Sequence, residues 1–333
     1  MFKKKKIDFL AIGDLVIDDF IKLKDAHIHC NIDTTNCELC VRFGDKVPFE
    51  SSQIIPAVGN SPNASVTAAR LGLNSALYAN IGNDNYGKDC LKSLERDGVI
   101  TKFIGIHNGL PTNYHYVLWY GAERTILVKH TEFPLLFPKD MPNVNWIYLS
   151  SLADNSLPFH KQISEFLKNN PRTKLAFQPG TFQIEFGYDK LQEIYKRTEI
   201  FFCNKEEAQR ILGSDEKDIK KLLEAVRNLG PKIAVITDGP DGAYAYDGTD
   251  AWFIQMYPDI APPVDRTGAG DAFSSTFTVA IALGKSIPEA LTWGPINSMS
   301  VVQYVGAQKG LLNQKKLLNY LASAPENYMA KKI

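Results

Sequence analysis

The chain has 333 residues, 44% of them hydrophobic and 22% charged, enough for one large globular domain or two ordinary ones. Its 37 basic and 37 acidic side chains cancel, which removes any broad electrostatic case for nucleic acid or an anionic membrane as partner. No apolar stretch approaches the roughly 20 residues of a membrane-spanning helix, no signal-peptide core opens the chain, and five cysteines fit ordinary cytoplasmic thiols better than a disulfide framework.

Lys3-Lys4-Lys5-Lys6 reads as a solvated leader to a short apolar strand over Ile7 to Ile12 that ends at Gly13. Ser65 to Leu71 reads as helix, Ser75 to Ile81 as strand and Tyr86 to Arg96 as helix. The order repeats with strand Trp146 to Leu149, helix His160 to Lys168 and strand Lys174 to Phe177. Strand Ile200 to Cys203, helices over Glu206 to Leu212 and Asp218 to Leu229, and strand Ile233 to Ile236 come next. A hairpin around Tyr244 and Trp252 precedes a helical C-terminal third that begins at Gly268. Strands alternating with helices predict an α/β fold with a mostly parallel central sheet and helices on both faces. Ligands of such sheets sit beyond the carboxyl ends of the strands. Two regions break the alternation, Phe20 to Ile55 and Asn113 to Lys129, where runs such as Tyr114, Tyr116, Leu118 and Tyr120 alternate as in strands. With no linker around them they predict a small β-sheet lid on one domain spanning 1–333, its strands within about 20–56 and 107–130.

The stretch Thr267-Gly268-Ala269-Gly270-Asp271 stands where a helix begins, since Phe273, Phe277, Ala280 and Ile281 follow with helical spacing. Glycine costs a helix about 1 kcal/mol against alanine, so two of them in one turn suggest that something approaches the backbone. The plain reading is a glycine-rich turn with Asp271 as an early-helix acid favoured by the dipole. The chemical reading is an anion hole made by the amides of Gly268, Ala269 and Gly270 at the helix N-terminus. Asp271 beside it can accept a proton from an attacking hydroxyl.

DRTGAGDAF, together with GDLVIDDF, VGNSPNASVTAARLG, NIGNDNYG, NKEE and VITDGPDGAYA in the same order, resembles the ribokinase family, the phosphofructokinase-B type of carbohydrate and nucleoside kinases. The resemblance spans nearly the whole chain and implies the ribokinase-like three-layer fold. It implies that Asp18, with Asp14 in the same loop, binds substrate hydroxyls, a task for which a carboxylate suits because it accepts two at once. Val58-Gly59-Asn60-Ser61-Pro62-Asn63 resembles the family's Gly-Gly-x-x-x-Asn element but has Val58 at the first glycine, so Gly59, Asn60 and Asn63 are the implied contacts. Ser61 or Asn60 can equally cap the helix there. Asn204-Lys205-Glu206-Glu207 reads by itself as a capping box, and the resemblance adds that Asn204 and Glu207 organise magnesium and its waters. It also makes Thr237, Gly239, Asn297 and Gly306 nucleotide-side residues, although Pro295 interrupts the helix that carries Asn297. Asp265 and Thr267 are implied as a candidate site for a monovalent cation such as K⁺, between their backbone and the loop at Gly306-Ala307.

Arg124, in Gly121-Ala122-Glu123-Arg124, lies on the lid and reads either as a group that reaches substrate or phosphate on closure or as a solvated side chain. His27, Cys30, Cys37 and Cys40 fall within one short segment, but zinc sites commonly pair two short-spaced knuckles and only one exists here. Ordinary thiols are the expectation.

The whole predicts a cytoplasmic kinase that uses ATP and Mg²⁺, and K⁺ as a candidate, to phosphorylate an alcohol hydroxyl of a sugar or sugar-like substrate, with Asp271 as base. A nucleoside kinase is the alternative within the family, with Tyr114, Tyr116, Trp119 and Tyr120 as stacking groups or as lid core. A non-catalytic sugar- or nucleotide-sensing protein is the alternative from another class, and the presence of Asp271 argues against it. A homodimer through the lid is a further family expectation.

Overall fold

The computed structural model describes residues 6–30, 37–121, 123–138 and 140–333. Lys3 to Lys5 of the basic leader lie outside the described residues. β1 (Phe9–Ile12) is buried throughout, and its alternation divides the interior, Phe9 and Ala11 packing into one core, Leu10 and Ile12 into another. A strand covered on both faces reads as an unbroken apolar run. β2 (Val16–Leu23) leaves for a second sheet, the hairpin β3 (His27–Cys30) and β4 (Cys37–Cys40) follows, and β5 (Phe49–Val58) returns beside β2 into α1 (Asn60–Arg70). β6 (Ser75–Gly82), α2 (Asn85–Arg96) and β7 (Ile100–His107) extend the main sheet to one edge, and β8 (Asn113–Tyr120) and β9 (Glu123–Leu127) complete the second sheet.

The other half repeats the unit: β10 (Trp146–Leu149), α3 (Leu157–Asn169), β11 (Lys174–Phe177), α4 (Thr181–Arg197), β12 (Thr198–Asn204), α5 (Lys205–Leu212), α6 (Ile219–Asn228) and β13 (Ile233–Thr237). β14 (Ala243–Tyr246) and β15 (Ala251–Ile254) form the expected hairpin. α7 (Ala269–Ala282), α8 (Ile287–Val301) and α9 (Gln314–Ala322) precede β16 (Lys331–Lys332). Among the described residues the main sheet runs β16-β15-β14-β13-β12-β11-β10-β1-β6-β7, parallel from β13 to β7 and antiparallel beyond β13, and the second runs β5-β2-β8-β9. Side chains of α1, α2, α7 and α8 fill one core and those of α3, α4, α5 and α6 the other, which makes three layers.

Three features depart from the sequence reading. β7 and α4 are additional elements, and α4 hid its period because Gly187, at φ 75°, breaks the helix between Phe186 and Tyr188. The second sheet reaches deeper into the body than Phe20 to Ile55, since β2 and β5 stay paired down to Val16 and Val58. Finally, Cys30 and Cys37 form a disulfide, which corrects the expectation of ordinary thiols there. They are directly opposed in the β3–β4 hairpin with their Cα atoms 4.0 Å apart, so the pairing of two short strands brings the sulfurs together. Cys40, Cys90 and Cys203 are free. No helix among the described residues is long and apolar enough to cross a membrane.

Candidate active site

The first turn of α7 organises the site. Gly268 closes the preceding loop in the left-handed conformation at φ 79°, and a Cβ there would stand 2.3 Å from the Ala307 Cβ. That position is confined to glycine by conformation and by packing. Gly270 differs: its backbone is ordinary and a Cβ would meet nothing within 4 Å. No side chain caps the helix, and the first amides of a helix lack intrahelical acceptors. Of the expected anion-hole amides, that of Ala269 leans back toward the Arg266 carbonyl at 3.3 Å.

Two clefts meet at this turn. Ala269 and Asp271, two residues apart and so about 200° around the helix, face different ones. The Asp271 cleft has a volume of about 200 Å³ and is walled by Asp14, Asp18, Gly59, Asn60, Asn63 and Thr267, among others. The Ala269 cleft, about 290 Å³, is lined by Gly239, Pro240, Met256, Tyr257, Arg266 and Val302, among others, and is mostly apolar. An apolar slot beside a helix N-terminus suits a flat heterocycle carrying phosphates.

Asp271 is held by amide side chains. Its Oδ1 accepts from Asn60 Nδ2 at 2.8 Å and Gln178 Nε2 at 3.1 Å, and its Oδ2 accepts from Asn63 Nδ2 at 2.9 Å. Burial raises its pKa, while the Asn63, Gln178 and Asn60 hydrogen bonds pull it down. A raised carboxylate is a better proton acceptor near neutral pH than an exposed one. Two of the three amides are oriented by a further contact: Gln308 Nε2 donates to Asn63 Oδ1 at 3.0 Å, and the Tyr148 hydroxyl donates to Gln178 Oε1. Tyr148 lies 2.7 Å from the Ser274 hydroxyl, and burial lifts its pKa far up, so it stays a neutral donor. Gln178 and Tyr148 were not foreseen, for they come from β10 and the loop after β11 and carry no motif. Asn60 and Ser61 do not cap α1: Gly59 holds the N-cap position without a side-chain bond, Asn60 turns to Asp271, and Ser61 donates to the Ile12 carbonyl at 2.7 Å. The close approach of Gly59, where a Cβ would lie 2.9 Å from the Asp14 carbonyl at φ 120°, aims the helix at Asp271.

Asp14 and Asp18 face the same cleft, each beside a histidine that the sequence reading had passed over. His130 Nδ1 lies 3.5 Å from Asp14 Oδ2, His115 Nδ1 lies 3.6 Å from Asp18 Oδ1, and the two rings meet edge to face at 5.6 Å. Burial pushes Asp14 up to about 7, the Ala153 backbone opposing it. Burial also lowers His130, with the neighbouring His115 adding to it. The only sequence signal for these histidines was their place in and after the alternating run of β8.

On the other side, Asn204 and Thr237 are registered partners at the carboxyl ends of β12 and β13. The capping box exists: Asn204 Oδ1 accepts from the Glu207 amide at 2.7 Å, and Glu207 Oε2 accepts from the Asn204 amide at 2.9 Å. Burial raises the Glu207 pKa, the Asn204 backbone hydrogen bond and the Arg210 charge oppose it, and Asp271 and Glu206 add smaller upward contributions. A partly buried acid with an amide oxygen beside it could hold a hydrated divalent cation. Gly239 lines the apolar cleft, but Asn297 and Gly306 do not. Asn297 is fully buried and ties Thr276 Oγ1 (2.7 Å) to the Leu312 amide (2.9 Å), while the Gly306 amide donates to Asp265 Oδ2 at 2.8 Å. In this structure both stand in packing and loop-tying positions. Arg124 also stands away from the clefts in this structure. It lines neither cleft and stands against the loop before α7, its Nε 3.0 Å from Asp265 Oδ1 and its Nη2 donating to the Val264 carbonyl at 3.0 Å.

The sequence signature of the pfkB family of carbohydrate kinases matches residues 29–314. The chain is similar to the ATP-dependent 6-phosphofructokinase of Thermoanaerobacterium thermosaccharolyticum, 24% identical over 321 residues that cover 92% of this chain and 91% of that one. It is similar to the ribokinase of Bacillus subtilis, 27% identical over 291 residues that cover 84% of this chain and 92% of that one. Its fold matches that of Arabidopsis thaliana ribokinase complexed with ribose and ATP, with a TM-score of 0.80 at 20% identity over 95% of this chain and 99% of that one. It also matches the nucleoside kinase of Methanocaldococcus jannaschii, with a TM-score of 0.78 at 18% identity over 96% and 99%. The structure therefore has the ribokinase-like fold, and the chain belongs to the pfkB family of carbohydrate kinases as an ATP-dependent carbohydrate kinase.

Proposed function

We propose that the enzyme transfers a phosphoryl group to a hydroxyl of a small unphosphorylated sugar, or sugar-like polyol, bound in the cleft walled by Asp14, Asp18, Asn60 and Asn63. The observation that carries this reading is the open space before Gly270. The residue needs no glycine for its own conformation or packing, and it lies in the turn between the two clefts, one residue before Asp271. The acceptor hydroxyl would lie against Asp271, which takes its proton as the new P–O bond forms and the bond from the γ-phosphorus of ATP to the departing ADP breaks, while the first-turn amides of α7 hold the phosphoryl oxygens. Asn60, Asn63 and Gln178 keep the carboxylate aimed and partly desolvated. Phosphoryl transfer is mainly positioning and electrostatics, which one base and one anion hole can supply. Magnesium bound with the nucleotide would offset phosphate charge, and Asn204 and Glu207 are the residues that would hold it through water. The second sheet, spanning β2, β5, β8 and β9, is the lid that keeps water from the phosphoryl group.

A sugar is favoured over a nucleoside because, among the described residues, neither tryptophan nor tyrosine lines the Asp271 cleft. Tyr114 instead donates to Asp19 Oδ2 at 3.1 Å and packs on Tyr86 and Tyr116, while Trp119 carries Lys22 and Arg124 against its ring. An unphosphorylated acceptor is favoured because no lysine or arginine lines that cleft, among the described residues. The test is ADP formation from magnesium-ATP with a panel of pentoses, hexoses, keto-sugar acids, sugar phosphates and nucleosides. Turnover with an unphosphorylated sugar or polyol is expected. Turnover with nucleosides alone, with sugar phosphates alone, or with nothing in the panel would contradict the reading.

A further inference from the structure

Asp265 is 1% exposed and immediately precedes the anion-binding turn. A buried carboxylate needs a counter-charge and hydrogen-bond donors. Its donors are the Thr267 amide on Oδ1 (2.8 Å) and the Gly306 amide on Oδ2 (2.8 Å), so this one side chain ties the loop before α7 to the loop after α8. Its counter-charge comes from neither loop. It comes from Arg124 of β9, whose Nε lies 3.0 Å from Oδ1, whose Nη2 takes the Val264 carbonyl at 3.0 Å, and whose guanidinium packs 4.9 Å from the Trp119 ring. Trp119 and Arg124 are paired across β8 and β9, so the sheet itself presents the cation.

The family resemblance places a monovalent metal ion beside the Asp265–Thr267 backbone. The residues present do not fit one. A guanidinium already sits within hydrogen-bond distance of the carboxylate and takes a backbone carbonyl of the same segment, so a metal ion at Asp265 would face a second positive charge a few ångströms away with little solvent to screen it. From this we infer that Arg124 is the resident cation of the phosphate-side loop, a positioning residue that replaces a monovalent metal ion and makes ordering of that loop depend on closure of the sheet that carries it. The inference rests on the assignment of the α7 turn as the phosphoryl site. Arg124 touches Asp265 and Val264, not either cleft, and acts on the reaction through the loop that ends at Gly268.

The experiment compares wild type, Arg124→Ala and Arg124→Gln in tetramethylammonium chloride, with KCl replacing it at constant ionic strength. Thermal stability is one readout, and kcat with the KM for ATP, on whichever acceptor the panel identifies, is the other. Wild type should be indifferent to K⁺ in both. Arg124→Ala in the absence of K⁺ should lose about 10²-fold in kcat through misplacement of the loop, and K⁺ or free guanidinium should restore much of it and raise its Tm. If Arg124→Ala does not fold, Arg124→Gln, which keeps the stem on Trp119 without the charge, should show the same gain of K⁺ response. The inference is overturned by a wild-type enzyme that K⁺ activates several-fold, or by variants whose stability and rate are no more responsive to K⁺ than wild type. Because the Tm comparison needs no turnover, a failure of the substrate assignment leaves this test readable.

Discussion

Gly268 and Gly270 stand two residues apart and are glycine for different reasons. Gly268→Ala must accommodate φ 79° and a Cβ 2.3 Å from Ala307, so it should lower Tm and loosen the turn as a whole. Gly270→Val, facing open space, should leave Tm within a few degrees and still remove most activity, because its branched side chain would fill the place proposed for the phosphoryl oxygens. Thermal melts with initial rates separate them, and equal loss of stability in both would mean that Gly270 too is a packing residue. Asp14 gives a pH signature. Burial pushes it from 3.8 to about 7, so the fold favours its neutral form. Its contribution to stability is present below 3.8 and is lost as pH rises toward 7. Wild type should thus lose Tm relative to Asp14→Asn between those values. An acceptor KM that falls as Asp14 ionises near pH 7 should become flat there in the variant. Asp18→Ala should weaken acceptor binding by about 1.5–3 kcal/mol, the range for a hydrogen bond to a charged group, with the KM for ATP nearly unchanged. Unaltered acceptor affinity would remove Asp18 from the site.

Elements place these residues where single side chains could not. α1, α5 and α7 all start at the carboxyl-end side of the sheet. α5 begins with a capping box, whereas α1 and α7 begin at glycines without side-chain caps and so leave their N-termini open to the clefts. Asn204 caps α5 and is also proposed to organise magnesium, and substitution can part the two roles. Asn204→Ala should cost about 1 kcal/mol of stability through the lost cap and raise the KM for magnesium-ATP. Asn204→Ser should keep the cap and lose only the reach, which denaturant titration alongside kinetics will show. The capping box was legible from Asn204 and Glu207 alone because it is a local pattern. Arg124 was not, because its partner Asp265 is distant in sequence and only the β8–β9 hairpin brings them together. Gln178 and the two histidines were missed for the same reason, and α4 because Gly187 interrupts its periodicity. The Cys30–Cys37 pairing needed the strand register, which spacing does not supply.

At the scale of the whole molecule, the alternation of strands and helices was enough to predict a largely parallel sheet covered by helices on both faces. Phe9 and Ala11 on one side and Leu10 and Ile12 on the other show why: a central strand with both faces buried can only lie between helical layers. Two clefts lie on either side of one helix turn, one walled by Asp14, Asp18, Asn60 and Asn63 and the other mostly apolar, and in the proposed reaction acceptor and nucleotide would meet at Asp271 and the amides before it. The account stands or falls on Asp271 as the proton acceptor. The most direct measurement is kcat for Asp271→Asn on the acceptor that wild type uses best, with ATP binding measured in parallel by calorimetry. The variant should stay folded and bind ATP as well as wild type or slightly better, while kcat drops by the ~10²–10⁴ of a lost general base. A folded Asp271→Asn enzyme that turns over at the wild-type rate would contradict the account.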